Sequence, residues 1–349
     1  MGLGQSEVVD NWTVRGPIGS GGMADVYLVE HNDLGSMHAL KLMSGAGAVV
    51  RQRLIAEGQM QAKVKHPNLV LVTDMLEVHG ELGLVMQYID GPTLGKWLRE
   101  DHALPQLMTI FLGIVNGMGF AHKQGFIHRD LKPGNVLLEM TGDGWKPRII
   151  DFGLVKAVDV DGKGVGTDQT SPGAMMGTPE FMAPEQVTDA STVDVRADMW
   201  ALGALLYRIV CGVNAFPQEG IMNILNAVVG AKYIDPREHD PSLPDIIVDA
   251  INGLLVIRRE ERIPDCETLL KVLGVVPDPH NDAAPWRGNT ESGNDETWPA
   301  MAPRLSLPPK DRAAAPVSTE PAAPIPLPVA IGVGVFLALG SLLWLWQGV

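Results

Sequence analysis

The most informative stretch of this 349-residue chain is His128-Arg129-Asp130-Leu131-Lys132-Pro133-Gly134-Asn135, with Asp151-Phe152-Gly153 shortly after it. Asp130 is a carboxylate that can accept a hydroxyl proton, and it precedes Lys132, a cation that can neutralise a transferring phosphate. Asn135 and Asp151 carry the hard oxygen ligands that Mg²⁺ prefers. These residue types in this order therefore indicate phosphoryl-transfer chemistry in one short loop system.

The two stretches resemble the catalytic and metal-binding loops of protein kinases. The alternative, a solvated charged loop, gives no reason for this order of residues. The resemblance implies a bilobal α+β fold, with a small β-rich N-lobe and a large helical C-lobe, and ATP and Mg²⁺ as cofactors. It implies that Asp130 orients the substrate hydroxyl and accepts its proton. Lys132 would stabilise charge on the γ-phosphoryl group, while Asn135 and Asp151 would bind the metal.

A glycine-rich stretch, Ile18-Gly19-Ser20-Gly21-Gly22-Met23-Ala24-Asp25-Val26, lies between two predicted strands. A dinucleotide-binding fold would continue into a helix, whereas here a strand follows. The stretch is similar to the kinase loop that covers the phosphates of ATP, with Ala24 in place of the third glycine. The resemblance therefore implies that these residues bind ATP. The Gly-Gly-Met run is more similar to bacterial serine/threonine kinases than to eukaryotic ones.

Ala39-Leu40-Lys41 matches the strand lysine of protein kinases that binds the α- and β-phosphates of ATP. A lysine on a strand is usually a surface charge, but this one precedes a predicted helix, residues 50–64, that carries Glu57. The resemblance implies that Glu57 pairs with Lys41 and holds it in its catalytic position. Gln61 stands where the family has an apolar residue, and Gly58 weakens a helix, so we expect this helix to be loosely held.

The adenine pocket is predicted from the same resemblance. Two apolar strands are expected near residues 69–78 and 82–88, and Met86 would border the pocket. The backbone from Gln87 to Ile89 would hydrogen-bond the adenine edge, because an extended segment offers both N–H and C=O groups. The side chains implied to enclose the ring are those of Val26, Ala39 and Leu137.

Three further features belong to the predicted C-lobe. Residues 106–125 have the apolar spacing of a helix that leads into the catalytic loop. Glu185 matches the family glutamate that pairs with a late arginine, for which Arg262 is the candidate. Asp198 is implied to bind the backbone of the catalytic loop, and its position also fits a helix-capping aspartate, so both roles are left open.

The segment between Asp151 and Glu185 is rich in glycine and hydroxyl side chains. Arg129 marks kinases in which a phosphate pairs with that arginine and orders this segment. Ala174 stands at the main phosphosite of the family. We therefore predict that a nearby hydroxyl takes its place, and activity without phosphorylation is the alternative. The candidate phosphosites are Thr167, Thr170 and Ser171.

Composition narrows the other possibilities. Hydrophobic residues make up 46% of the chain, and we predict that the globular kinase domain comprises residues 12–272. A net charge of −14 argues against nucleic-acid binding, which requires a basic face. Cys211 and Cys266 lack metal-ligand spacing and are expected to be buried thiols in a reducing compartment. The first residues do not resemble a secretory signal, so none is expected.

Two regions follow the predicted domain. Residues 277–328 hold 12 of the 26 prolines and are predicted to be a disordered linker, because they bury too little apolar area to offset ordering entropy. Residues 329–346, VAIGVGVFLALGSLLWLW, are uncharged and would form a helix of about 27 Å, close to the thickness of a bilayer core. We predict a transmembrane helix; a buried core helix and a docking segment are the alternatives.

Charges near this helix indicate its orientation. Lys310 and Arg312 precede it, which favours a single-pass protein of the bacterial cell membrane with its kinase domain in the cytoplasm. Ala330, Gly334 and Ala338 form a small-residue face of the kind that pairs two helices, so a homodimer is left open.

The whole sequence predicts a membrane-tethered signalling protein that transfers the γ-phosphate of ATP to serine and threonine hydroxyls of proteins, including its own. Lys132 and Thr178 resemble the residues found at these positions in serine/threonine kinases rather than those of tyrosine kinases. One alternative is a catalytically weak pseudokinase acting as an ATP-responsive membrane scaffold, against which the retained catalytic residues argue. Another is a small-molecule phosphotransferase, against which Gly177–Glu185 argues because it resembles a peptide-docking segment.

Overall fold

The computed structural model describes residues 2–20, 24–43, 51–52, 55, 58–59, 61–151, 179–189 and 193–275. Several predictions fall on other residues and remain predictions. These are the linker at 277–328, the transmembrane helix at 329–346, the middle of the glycine-rich stretch at 21–23, the partner Glu57, and the segment residues Phe152, Thr167, Thr170, Ser171, Ala174 and Thr178.

A six-stranded antiparallel sheet forms the first lobe. Its spatial order is β1-β2-β3-β4-β6-β5. The strands are β1 Val8–Val9, β2 Trp12–Ser20, β3 Ala24–His31, β4 Met37–Met43, β5 Val72–Val78 and β6 Glu81–Gln87. Because side chains alternate along a strand, one face of the sheet collects the apolar core. That core contains Trp12, Val14, Tyr27, Val29, Leu40, Leu42, Leu76, Val78 and Val85.

The second lobe, as far as the structure describes it, is helical with one short hairpin. The hairpin comprises β7 Val136–Thr141 and β8 Gly144–Ile149, and 3₁₀ turns lie at Pro133–Asn135 and Pro179–Phe181. The helices are α1 Leu94–Trp97, α2 Leu104–Lys123, α3 Pro184–Thr188, α4 Val195–Cys211, α5 Ile221–Val229, α6 Pro236–His239, α7 Asp245–Leu254 and α8 Cys266–Val272. The predicted architecture, a β-sheet lobe and a helical lobe, is confirmed.

Helix α2 directs the chain into the catalytic loop. Pro105 lies in its first turn, where a missing N–H costs nothing. At the other end Gly125 takes a left-handed φ of 82°, and Phe126 N–H donates to the Ala121 carbonyl at 3.0 Å. This bonding pattern closes a helix end and reverses the chain. The helix therefore stops just before His128.

The same helix is the one described helix that is long and apolar enough to cross a membrane. However, 56% of its apolar stretch is buried, and it packs closely on β8. A Cβ atom added at Gly113 would lie 2.6 Å from the Pro147 ring. We therefore interpret α2 as a core helix. Cys211 and Cys266 are both buried free thiols, as predicted.

Candidate active site

The loop before β7 brings three predicted catalytic side chains together. Lys132 Nζ donates to Asp130 Oδ2 at 2.7 Å, and the amide nitrogen of Asn135 donates to the same oxygen at 3.0 Å. That amide also donates to the Asp130 carbonyl at 2.7 Å. Asn135 ends the 3₁₀ turn that Pro133 opens, so the local backbone sets its position. The Asp130 carboxylate is therefore held by two donors, one of which is a cation.

The two predicted metal ligands lie on hydrogen-bonded backbone. Ile150 N–H donates to the Asn135 carbonyl at 3.0 Å, which places Asp151 beside Asn135. His128 stabilises the backbone before Asp151, because its Nε2 donates to the Ile150 carbonyl at 2.9 Å. Asp151 has a left-handed φ of 65°. Such backbone is uncommon outside glycine and is concentrated at functional sites.

The donor set of Asn135 and Asp151 fits Mg²⁺. Within the described ranges, no cluster of three or more His, Cys, Asp or Glu side chains could hold a metal on its own. Mg²⁺ takes one or two carboxylates from a protein and completes its octahedral shell with water and substrate phosphates. A pair of oxygen ligands beside a nucleotide site is therefore sufficient.

Lys41 connects the sheet to this loop system. Its Nζ lies 2.5 Å from Asp151 Oδ1, and the lysine side chain is 13% exposed. On β4 it opposes Val26 of β3 and Leu84 of β6. The described partner of Lys41 is thus Asp151, a predicted metal ligand, while the pairing of Lys41 with Glu57 stays a prediction. Gln61, in the predicted helix at 50–64, lines an otherwise apolar cavity with Val64, Leu69, Val70, Ala121 and Phe126.

The predicted adenine contacts share one face of the sheet. Val26 opposes Lys41, and Ala39 opposes Met86. Leu137 lies on β7. An isolated β-bridge pairs it with Thr93, in the segment that connects β6 to α1. At the end of β2, Gly19 and Ser20 oppose Val26 and Asp25, with Ile18 before them on β2 and Ala24 at the start of β3. Gly21, Gly22 and Met23 lie outside the described residues.

The segment after β6 offers backbone groups to a ligand. The N–H of Gln87 donates to the Leu71 carbonyl at 2.9 Å. By contrast, no backbone hydrogen bond of Ile89 is found within the part of the chain that the structure describes. The N–H and C=O groups of Ile89 can therefore serve the adenine edge.

Asp198 fixes the backbone of the catalytic loop. It is fully buried in α4, and its carboxylate accepts hydrogen bonds from the N–H groups of His128 at 2.7 Å and Arg129 at 2.8 Å. The capping alternative is wrong for Asp198, because Asp194 caps this helix by accepting from Arg196 N–H. Sequence reasoning missed His122, whose Nε2 lies 2.8 Å from Asp198 Oδ2. A histidine at the end of α2 carries no motif signal of its own.

The buried carboxylate gives a pH-dependent prediction. Burial by itself raises the pKa of Asp198, but the bond and charge of His122 and the contacts of His128 outweigh it and lower the pKa below 3.8. A lowered pKa means that the contribution of Asp198 to stability is present above pH 3.8 and is lost as the pH falls through the folded pKa. We expect Asp198→Asn to cost roughly 1–3 kcal/mol at neutral pH.

Denaturant unfolding of wild type and Asp198→Asn at several pH values would check this. The difference between them should be present at neutral pH and should narrow as the pH falls below the ordinary carboxyl range. Equal stability at neutral pH would show that the described hydrogen bonds contribute nothing.

A second network ties α3 to the same loop. Gln186 Nε2 donates to the Arg129 carbonyl at 2.8 Å, and its Oε1 accepts from Ala183 N–H at 2.9 Å. Beside it Glu185 receives two bonds from Arg262, at 2.8 and 3.0 Å. The structure thus brings the expected pair Glu185 and Arg262 together. Gln186 was missed, since a glutamine after a family glutamate is not distinctive.

Comparison with known proteins agrees with this geometry. The protein kinase domain family matches residues 12–272. The chain is 31% identical over 242 residues to serine/threonine-protein kinase Pkn1 of Myxococcus xanthus, covering 68% of this chain and 33% of that protein. It is 35% identical over 251 residues to the DNA damage-responsive serine/threonine-protein kinase RqkA of Deinococcus radiodurans, covering 70% and 36%.

A third relative is serine/threonine-protein kinase PkaA of Streptomyces coelicolor, 32% identical over 244 residues, covering 69% of this chain and 42% of the relative. The matched region thus spans about a third to two fifths of the relatives' own lengths. The family match over residues 12–272, together with bacterial serine/threonine kinases as relatives, confirms the predicted resemblance. The chain belongs to the protein kinase family.

Proposed function

We propose that this protein is an ATP-dependent serine/threonine protein kinase that phosphorylates protein hydroxyls, including its own. The observation that carries the proposal is the Asp130 carboxylate held by Lys132 and Asn135, with Lys41 and Asp151 paired beside it. A base, a phosphate-binding cation and metal ligands are the parts that phosphoryl transfer requires. The names of the bacterial relatives support serine and threonine as acceptors.

Each side chain has a separate role in phosphoryl transfer. Asp130 accepts the proton of the substrate hydroxyl, and the donors on its Oδ2 fix its orientation. Lys132, 2.7 Å from that oxygen, places positive charge where the transferring phosphoryl group develops negative charge. Asn135 and Asp151 would hold Mg²⁺, which would neutralise negative charge on the phosphates when bound. Lys41 would bind the α- and β-phosphates. Catalysis is thus positioning and electrostatics.

Lys41→Met tests the proposal directly. The substitution removes the cation while keeping a long side chain, so we expect phosphate transfer to fall about 10²-fold or more. The assay is label transfer from γ-labelled ATP with Mg²⁺ to the full-length chain in detergent, followed by identification of the phosphorylated amino acids. Lys271→Met, at a side chain that is 62% exposed and paired with Glu267, is the matched control. Wild-type activity in Lys41→Met would refute the assignment.

We also propose that residues 329–346 anchor the kinase domain to the cytoplasmic face of a bacterial membrane. Their lack of charge over a bilayer-sized length supports this. The small-residue face of Ala330, Gly334 and Ala338 is of the kind that pairs two helices. We therefore include in this proposal a homodimer that forms through the anchor. We expect the full-length chain in the alkali-resistant membrane fraction and a chain ending at Pro277 in the supernatant. A full-length chain in the supernatant would contradict the anchor.

A further inference from the structure

We propose that Gly91 is a positioning residue for the end of the nucleotide site that binds adenine. This inference rests on the proposed function, in which ATP binds between β6 and β7. Gly91 lies in the segment that connects β6 to α1. A Cβ atom added there would lie 1.8 Å from the Leu138 carbonyl oxygen, whereas real Cβ contacts essentially never fall under 3.0 Å. Any side chain at Gly91 would therefore force the two backbones apart by about 1 Å or more.

Strand β7 is held in place around Leu138. Leu138 is fully buried, and it opposes Pro147 within the β7–β8 hairpin. Its N–H donates to the Pro92 carbonyl at 2.9 Å, and a β-bridge joins Thr93 to Leu137. Residues on both sides of the contact are thus held by backbone hydrogen bonds. The connecting segment, which is more exposed than β7, is the part that would move.

This contact lies between the two groups proposed to hold adenine. Ile89, shortly before Gly91, offers its backbone to the adenine edge. Leu137, directly before Leu138, supplies an apolar side chain from β7. The distance between Gly91 and Leu138 therefore sets the distance between these two groups. The phosphate end is held by Lys41 and Asp151, whose contact involves neither the segment nor β7. A displacement at Gly91 should thus affect base recognition and spare phosphate recognition.

Binding of two partial ligands to the full-length chain tests this. The probes are adenosine, which has the base without phosphates, and tripolyphosphate with Mg²⁺, which has phosphates without the base. In Gly91→Ala we expect adenosine affinity to fall roughly tenfold or more and tripolyphosphate affinity to stay unchanged, because a shift of about 1 Å disrupts positioned contacts. Gly95→Ala is the matched control, since a Cβ there would meet Pro133 at an ordinary 3.4 Å.

Each result decides the matter. Unchanged adenosine binding in Gly91→Ala, or equal losses for both ligands, would overturn the proposal, as would a wild-type chain that does not bind adenosine. If Gly91→Ala does not fold, Pro92→Gly loosens the same segment without adding an atom. We then expect roughly a threefold loss for adenosine alone, and no loss would overturn the proposal. A wild-type chain that binds adenosine yet transfers no phosphate would contradict the proposed function and leave the test of Gly91 intact.

Discussion

Asp130→Asn is expected to reduce the rate of phosphate transfer by about 10²–10⁴-fold, the usual contribution of a positioned general base. The amide has the size of the carboxylate, but it cannot take the hydroxyl proton. It also places an N–H₂ group where Lys132 and Asn135 both donate. ATP affinity should change little, because Asp130 is not among the predicted nucleotide contacts. The measurement is single-turnover transfer by the full-length chain, together with nucleotide binding.

The control for this substitution is Asp143→Asn, which makes the same chemical change at an exposed position in the β7–β8 turn. It should leave both transfer and binding unchanged. Transfer by Asp130→Asn at the wild-type rate would remove Asp130 from the mechanism. Loss of nucleotide binding together with transfer would instead indicate that the substitution disrupts the site as a whole.

The largest expected effect on stability is that of Arg262→Ala. The Arg262 side chain is completely buried, and Glu185, its partner in two hydrogen bonds, is 11% exposed. Arg262 also donates to the carbonyls of Arg196 and Val256, and its guanidinium lies 5.2 Å from the Trp200 ring centre. Removing one member of a buried ion pair leaves the other charge uncompensated, at a cost of about 3–5 kcal/mol in the free energy of unfolding.

Denaturant unfolding measures this cost. Arg258→Ala is the matched control, because Arg258 also pairs with a glutamate but is 78% exposed, and its removal should change stability little. The double variant Glu185→Ala/Arg262→Ala should be more stable than the sum of the single effects implies, since no lone charge remains. Strict additivity would contradict a direct pair. Because Gln186 next to Glu185 bonds the Arg129 carbonyl, we also expect slower transfer in Arg262→Ala.

Local patterns predicted the elements whose sequence signals are local. The helix predicted at 106–125 is observed at Leu104–Lys123, where a proline opens the helix and a glycine ends it. The strand predicted at 69–78 begins only at Val72. Val70 N–H instead donates to the carbonyl of Ile149 in β8, in the helical lobe, and a parallel β-bridge pairs Leu69 with Ile149. This tertiary contact outweighs their strand propensity, and an apolar run cannot reveal it.

The candidate site divides in the same way. Motif spacing identified Asp130, Lys132 and Asn135, which the structure places in one hydrogen-bonded group. Spacing did not identify His122, because its role arises from the packing of α2 against α4 through Asp198. Spacing also gave no sign that the residues before the predicted domain contact β3, where Leu3 N–H bonds the Tyr27 hydroxyl. Contacts between residues that lie far apart in the sequence produce no periodic pattern from which they could be predicted.

The most direct test of the kinase assignment is mass spectrometry of the dephosphorylated full-length chain before and after incubation with ATP and Mg²⁺. We expect phosphate to appear on serine and threonine hydroxyls, with Thr167, Thr170 or Ser171 among them. Phosphate confined to other serines or threonines would reject these three sites and retain the kinase. A chain that binds ATP but gains no phosphate on any hydroxyl, and transfers none to an added protein, would contradict the assignment as an active kinase.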